Sequence, residues 1–173
     1  PRTFLIRNDL PYKSLDELLK LKEIYFGDTG IGNYTRIIPL IFKNYVGLKV
    51  NMISYAAGSS EIMLALERKE VDGSYLTYSS NKPYIQRGLV RPLFRGRVSV
   101  PEIDKLPVDE DLVTDKKAKT LMAILSAIDQ VGRPYIAPPR TPEDHMKVLR
   151  EAFRKVPQDK ELQADAKKLM MDV

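Results

Sequence analysis

Between residues 3 and 94 the sequence alternates, at short spacing, runs that suit a β-strand with stretches whose apolar residues recur at helical intervals. Strand-like runs fall at 3–7, 24–26, 48–55, 71–77 and 89–94. Helical patterns fall at about 15–21, 33–45, 59–69 and 79–86. Strands joined by helices do not pair as hairpins, and each helix must bury its apolar stripe on a sheet. The expected fold class is therefore α/β, with a mixed, mostly parallel sheet flanked by helices.

Local signals punctuate this alternation. Ser14-Leu-Asp-Glu17 is a capping box ahead of Leu15, Leu18 and Leu19. Gly47 and Gly88 follow helical patterns as stops. Pro39 falls within the second helical pattern, where it either kinks the helix or delays its start. Beyond Phe94 the pattern dissolves into GRVSVPEIDKLPVDEDLV, expected as a long surface loop or irregular turns. A helix at about 117–130, a strand at 133–137 and helices at about 142–155 and 159–171 complete the reading. Thr141 is expected to cap the first of these last two helices, with Pro142 at its first position.

Two junctions carry most of the functional signal, because each joins the carboxyl end of a strand to a helix. The first, FGDTGIGNY, offers backbone donors at Gly27, Gly30 and Gly32 and side-chain donors at Thr29, Asn33 and Tyr34, around Asp28. Its spacing is neither the dinucleotide fingerprint nor a phosphate-binding P-loop. Bare N–H groups at a helix start can nevertheless hold an anion. Asp28 argues against a polyphosphate unless it turns away. The second junction, SYAAGSSE, places Tyr55, Ala56, Gly58 and Ser59 at the equivalent position, where ligands settle in open α/β sheets. Each junction also has a purely local reading: a turn that needs glycine, and a helix capped by Ser59 or Ser60.

Catalytic and metal constellations are poorly supplied. His145 is the single histidine and lies in a charged helical stretch, there is no cysteine, and no nucleophile elbow is present. No spacing of His or carboxylates calls for a metal. Glu67 and Glu70 read as solvent-facing, whereas Asp72, entering the next strand, is a further candidate site residue. Tyr34, Tyr55, Tyr75 and Tyr78 near strand ends suit either a pocket or the core. Composition adds exclusions. A net charge of +5 is spread among interleaved acids, which is how solvated helices look and not how a nucleic-acid patch looks. No apolar run reaches the ~18 residues of a membrane span.

Four stretches together, FGDTGIGNYTRIIPLIFKNYVGLKV, ISYAAGSSEIMLALERKEVDGSY, GRPYIAPPRTPEDHMKVLREAF and QDKELQADAKK, resemble in order and spacing the Bug-type solute-binding receptors of tripartite tricarboxylate transporters. The resemblance runs from about Phe4 to Lys168. It implies one α/β lobe of a two-lobe type II periplasmic binding protein, not an enzyme, without cofactor or metal. It also implies that the receptor closes over a small di- or tricarboxylic or aromatic carboxylate and delivers it to membrane permease subunits. The ligand-binding positions it implies are the loops 27–34 and 55–59, with Asp72 and 74–79 as secondary positions. Residues 1–131 would then be the second lobe, and 132–173 a crossing strand and helices that pack on a first lobe. That lobe, and a signal peptide, would precede the chain. Two features depart from the family: Ala56-Ala57 where a Gly-rich or Pro-containing turn is usual, and Lys69 where Gly is usual. An effector-sensing lobe of a transcription regulator, or a small α/β enzyme using the same crevice, are the alternatives at this point.

Overall fold

The computed structural model describes residues 1–132 and 134–168. They form two units, Pro1–Gln130 and the chain from Val131 onward. The first unit is built on five strands: β1 (Arg2–Arg7), β2 (Ile24–Asp28), β3 (Val50–Ser54), β4 (Gly73–Thr77) and β5 (Val90–Arg95). They lie in the order β3-β2-β4-β1-β5. β2 pairs in parallel with β3 and β4, while β1 runs antiparallel to both β4 and β5. The sheet is thus mixed, as expected. β2 to β5 all point one way, and β1 enters from the edge where the other four end.

β1 shows why the opening run is apolar without alternation. Phe4, Leu5 and Ile6 are all fully buried because helices cover both sheet faces. Phe4 and Ile6 join one core with Leu18, Phe26, Ile38, Ile41, Phe42 and Phe94. Leu5 joins the other, with Ile62, Leu66, Val71, Leu76 and Val90. The first core is aromatic at its centre, where Phe4 lies 4.6 Å from Phe26 and 4.2 Å from Phe94 between ring centroids.

Helices α1 (Leu15–Leu19), α2 (Tyr34–Ile41), α3 (Ser59–Glu67), α4 (Tyr78–Gln86) and α5 (Lys116–Val131) connect and follow the strands. Ser14 caps α1 by accepting the Glu17 N–H, but Glu17 returns to the N–H of Lys13 and not to Ser14. Pro39 sits inside α2 without ending it, and a π-helical turn, Phe42–Val46, follows before Gly47 closes the segment at φ 94°. Gly58, not Ser59 or Ser60, is the cap residue of α3. The first turn is held instead by the Glu61 carboxylate, which accepts the Ala57 N–H at 2.9 Å.

Downstream, one expectation is narrowed and two are corrected. The 95–114 segment takes the irregular turns that were the second alternative for it, but it is partly buried. Ile103, Asp109, Glu110 and Val113 are buried, and a 3-10 turn runs from Asp109 to Leu112. Residues 134–137 form no strand: Tyr135 and Ile136 are almost fully exposed, with no neighbouring strand among the described residues to supply hydrogen bonds. Arg133 lies outside the described residues. The second unit contains α6 (Glu143–Lys155), a 3-10 turn and α7 (Lys160–Lys168). Pro142, not Thr141, occupies the cap position of α6, and the Thr141 hydroxyl donates to the Pro138 carbonyl. The expected extension of the last helix to 171 passes beyond the described residues.

Lys69 follows α3 with φ 62°, a left-handed conformation that glycine adopts freely and lysine does not. Its ammonium reaches Asp9 at 2.9 Å, but both groups are well exposed, so little is gained from the pair. Lys69→Gly is expected to stabilise the chain by about 0.5–1 kcal/mol, read as a higher urea midpoint with an unchanged slope.

Candidate functional site

The carboxyl edge of the sheet gathers the ends of β2, β3, β4 and β5 with the start of β1. Ligands settle at such edges because helix starts present unpaired N–H groups there. At the end of β2 lies Asp28, with no exposed surface. Its Oδ1 accepts the Gly30 N–H at 2.7 Å and the Ser54 hydroxyl at 2.9 Å, and its Oδ2 accepts Arg36 Nη1 at 2.8 Å. Both oxygens are occupied and the charge is matched. Asp28 therefore faces inward as an anchor and presents no acid to an incoming anion.

The loop beyond it is pinned in the same manner. The Thr29 N–H donates to Thr35 Oγ1 at 3.0 Å, and Asn33 caps α2 by accepting the Thr35 N–H at 3.2 Å. Gly30 and Gly32 take φ of 106° and 83°, so only glycine runs this path without strain. What remains unpaired, among the described residues, are the N–H groups of Ile31, Gly32 and Tyr34. Ile31 is almost wholly exposed. Gly27 contributes through packing: a Cβ there would stand 2.8 Å from Ile62, so it is the close contact between β2 and α3.

The second junction is tied to the first through the backbone, where the Tyr55 N–H donates to the Asp28 carbonyl at 2.8 Å. Burial pushes the Tyr55 phenol upward from its usual value. Ala56 and Ser59 are exposed and Gly58 half-buried, bringing the start of α3 to the same edge. Tyr34 leans the other way. Its hydroxyl meets Thr77 Oγ1 at 3.2 Å, and the Arg2 guanidinium carbon stacks 3.4 Å over its ring.

Asp72 is not brought together with these residues. It precedes β4 at the amino end, accepting the Tyr25 N–H at 2.9 Å and pairing with Arg7 at 3.6 Å. His145, Glu67 and Glu70 are exposed. No group of three potential metal ligands occurs among the described residues, and none of their helices is long and apolar enough to cross a membrane.

Two features at this edge are not anticipated by sequence pattern. One is Arg36, which reads in sequence as an ordinary helix-face cation. The other is a polar cluster around the 3-10 turn. Tyr75 donates to Asp109 at 2.6 Å, Arg97 pairs with Glu110 at 2.7 Å, and the Ser126 hydroxyl also reaches Glu110. Burial pushes the Asp109 carboxyl up to about 6, against the Tyr75 and Glu110 N–H donors that favour its charge. Burial also opposes ionisation of Glu110, yet Arg97 and Ser126 hold its carboxyl below the usual glutamate value.

The sequence profile of the tripartite tricarboxylate transporter family receptor matches residues 1–172, and the chain belongs to that family, whose members bind solutes and are not enzymes. A curated relative, a UPF0065 protein of Bordetella pertussis, is 30% identical over 159 residues, covering 89% of this chain and 46% of its own length. Among solved structures, one described as a periplasmic transporter superposes with a TM-score of 0.64 at 19% identity, covering 93% of this chain and 52% of the other. A Rhodopseudomonas palustris protein solved with adipate gives 0.58 at 19% identity, covering 74% and 50%. These superpositions establish the type II binding-protein-like α/β fold. The chain spans about half the length of the relatives it matches.

Proposed function

We propose that this chain is the second lobe and C-terminal segment of a periplasmic receptor that captures a small organic carboxylate and passes it to membrane permease subunits. The observation that carries the reading is the set of unpaired N–H groups at Ile31, Gly32 and Tyr34, beside an Asp28 whose charge is already matched. A carboxylate on such donors gains about 1.5–3 kcal/mol per charge-assisted contact. A few contacts then suffice for micromolar capture, on the order of −8 kcal/mol, from which release to a transporter is easy. The start of α3, with Gly58 and Ser59, is the second donor group in this reading. Adipate bound to a structural neighbour supports the chemical class. Asp72 is left out of the site, and Gly27 serves it only through packing.

The first lobe would supply the other half of the cradle. β1 starts and β5 ends at the donor edge, so a lobe connected through those ends would face the donors. Residues 132–173 would pack on it. In support, α6 carries exposed Val148, Leu149 and Phe153, an apolar stripe that wants cover. The test is thermal stabilisation of the full-length protein by a panel of mono-, di- and tricarboxylates and aromatic acids, with sugars and nucleosides as controls. Stabilisation by acids alone is expected. Stabilisation by the controls and by no acid would overturn the assignment.

A further inference from the structure

The Arg36 guanidinium is half used. Its Nη1 donates to Asp28 Oδ2 at 2.8 Å and to Ser54 Oγ at 3.1 Å. The same Asp28 carboxylate receives the Gly30 N–H and the Ser54 hydroxyl. One fully buried carboxylate thus fixes the guanidinium, the glycine loop and the end of β3 relative to one another. The rest of the group is open: the Arg36 side chain keeps 29% of its surface. Its Nε and Nη2 have no protein partner among the described residues and are not buried. Those two nitrogens form one edge of the planar fork, the edge that grips a carboxylate with two parallel hydrogen bonds. A lysine could be fixed by Asp28 too, but it would have no second edge to offer.

We propose that Arg36 is a specificity-determining residue that pairs a second carboxylate of the solute, so that the receptor prefers diacids to monoacids of equal length. The inference rests on the carboxylate reading above, in which the N–H groups at 31–34 take the first carboxylate. Asp28 is then a positioning residue: it orients the fork and cancels its charge, so discrimination comes from directed hydrogen bonds and not from a general attraction for anions. A solute with one carboxylate leaves the open edge of Arg36 to water. A diacid uses both donor sets, and one directed contact to a charged group corresponds to about ten-fold or more in affinity.

Calorimetric titration of the full-length receptor with succinate, glutarate and adipate, against butyrate, valerate and hexanoate, decides it. The wild type is expected to bind its best diacid about ten-fold or more tighter than the monoacid of the same carbon number. Arg36→Gln is expected to bring that ratio close to one, and Arg36→Lys, whose ammonium Asp28 can hold but which has no second edge, to leave it there. If Arg36→Gln fails to fold because it strands the Asp28 charge, the paired Asp28→Asn/Arg36→Gln variant takes its place with the same expectation. A ratio unchanged in the folded variant, or a wild type that binds monoacids as well as diacids, overturns the role of Arg36 and leaves the carboxylate reading standing. Failure of all six acids to bind the wild type overturns both.

Discussion

Phe4→Ala is expected to remove about 4 kcal/mol of stability, the usual cost of truncating a fully buried phenylalanine in a core that cannot collapse around the space. Phe4 has no exposed surface, and three aromatic rings close on it: Phe26 at 4.6 Å, Phe94 at 4.2 Å and Phe42 at 6.1 Å. These rings come from β2, β5 and the π-helical turn, so no single neighbour can move in without dragging a strand. Against a total stability of about 5–15 kcal/mol, that loss is a large fraction. Urea unfolding would read it as a lower midpoint with little change in slope. A loss under about 1 kcal/mol would mean that the first core is not close-packed around β1.

The same residue illustrates what the sequence discloses and what it withholds. The run at 3–7 announces a buried strand, and alternation with helical patterns announces the α/β layers; both are present. That β1 runs against its neighbours is not written in its side chains, because strand direction depends on the edge from which the chain enters. Residues 134–137 fail in the opposite sense. Tyr135 and Ile136 favour a strand, but β-propensity is realised only beside a pairing partner. At the candidate site, the glycine loop was legible because turn chemistry is local, whereas Asn33 reads in sequence as a donor and proves to cap α2. Arg36 was not legible, since its role depends on Asp28 eight positions earlier and Ser54 eighteen later, converging only in three dimensions. Asp72 had a legible exclusion: a residue just before a strand stands at the amino end, away from the ligand edge. Asp109 and Glu110 were not singled out within the stretch expected as a surface loop or irregular turns, because burial without periodicity leaves no sequence trace.

That buried pair supplies the second large effect. Asp109 is 2% exposed, and its carboxyl is raised from 3.8 to about 6. An acid whose folded-state value is raised binds its proton more tightly in the folded chain than in the unfolded one. Its contribution is therefore most favourable below about pH 4 and is lost as pH rises through about 6. A rise of that size corresponds to about 3 kcal/mol, complete by pH 7. Other groups run the opposite way: Glu110, paired with Arg97, and Asp9, held by Lys69, both titrate below their usual values. The effect must consequently be read as a difference between wild type and Asp109→Asn across pH 4 to 7. Asparagine keeps an acceptor for the Tyr75 hydroxyl, 2.6 Å away in the wild type, but holds no charge in the buried turn. It gives up one acceptor toward the Glu110 N–H, a fixed cost that does not vary with pH. The wild-type curve should fall relative to the variant by about 2.4 kcal/mol between pH 4 and pH 7, the remainder of the shift lying below pH 4. Parallel curves would show that Asp109 is solvated or differently paired in solution. Because the turn carrying Asp109 is joined by Tyr75 to β4, loss of its packing would loosen the sheet next to the donor edge.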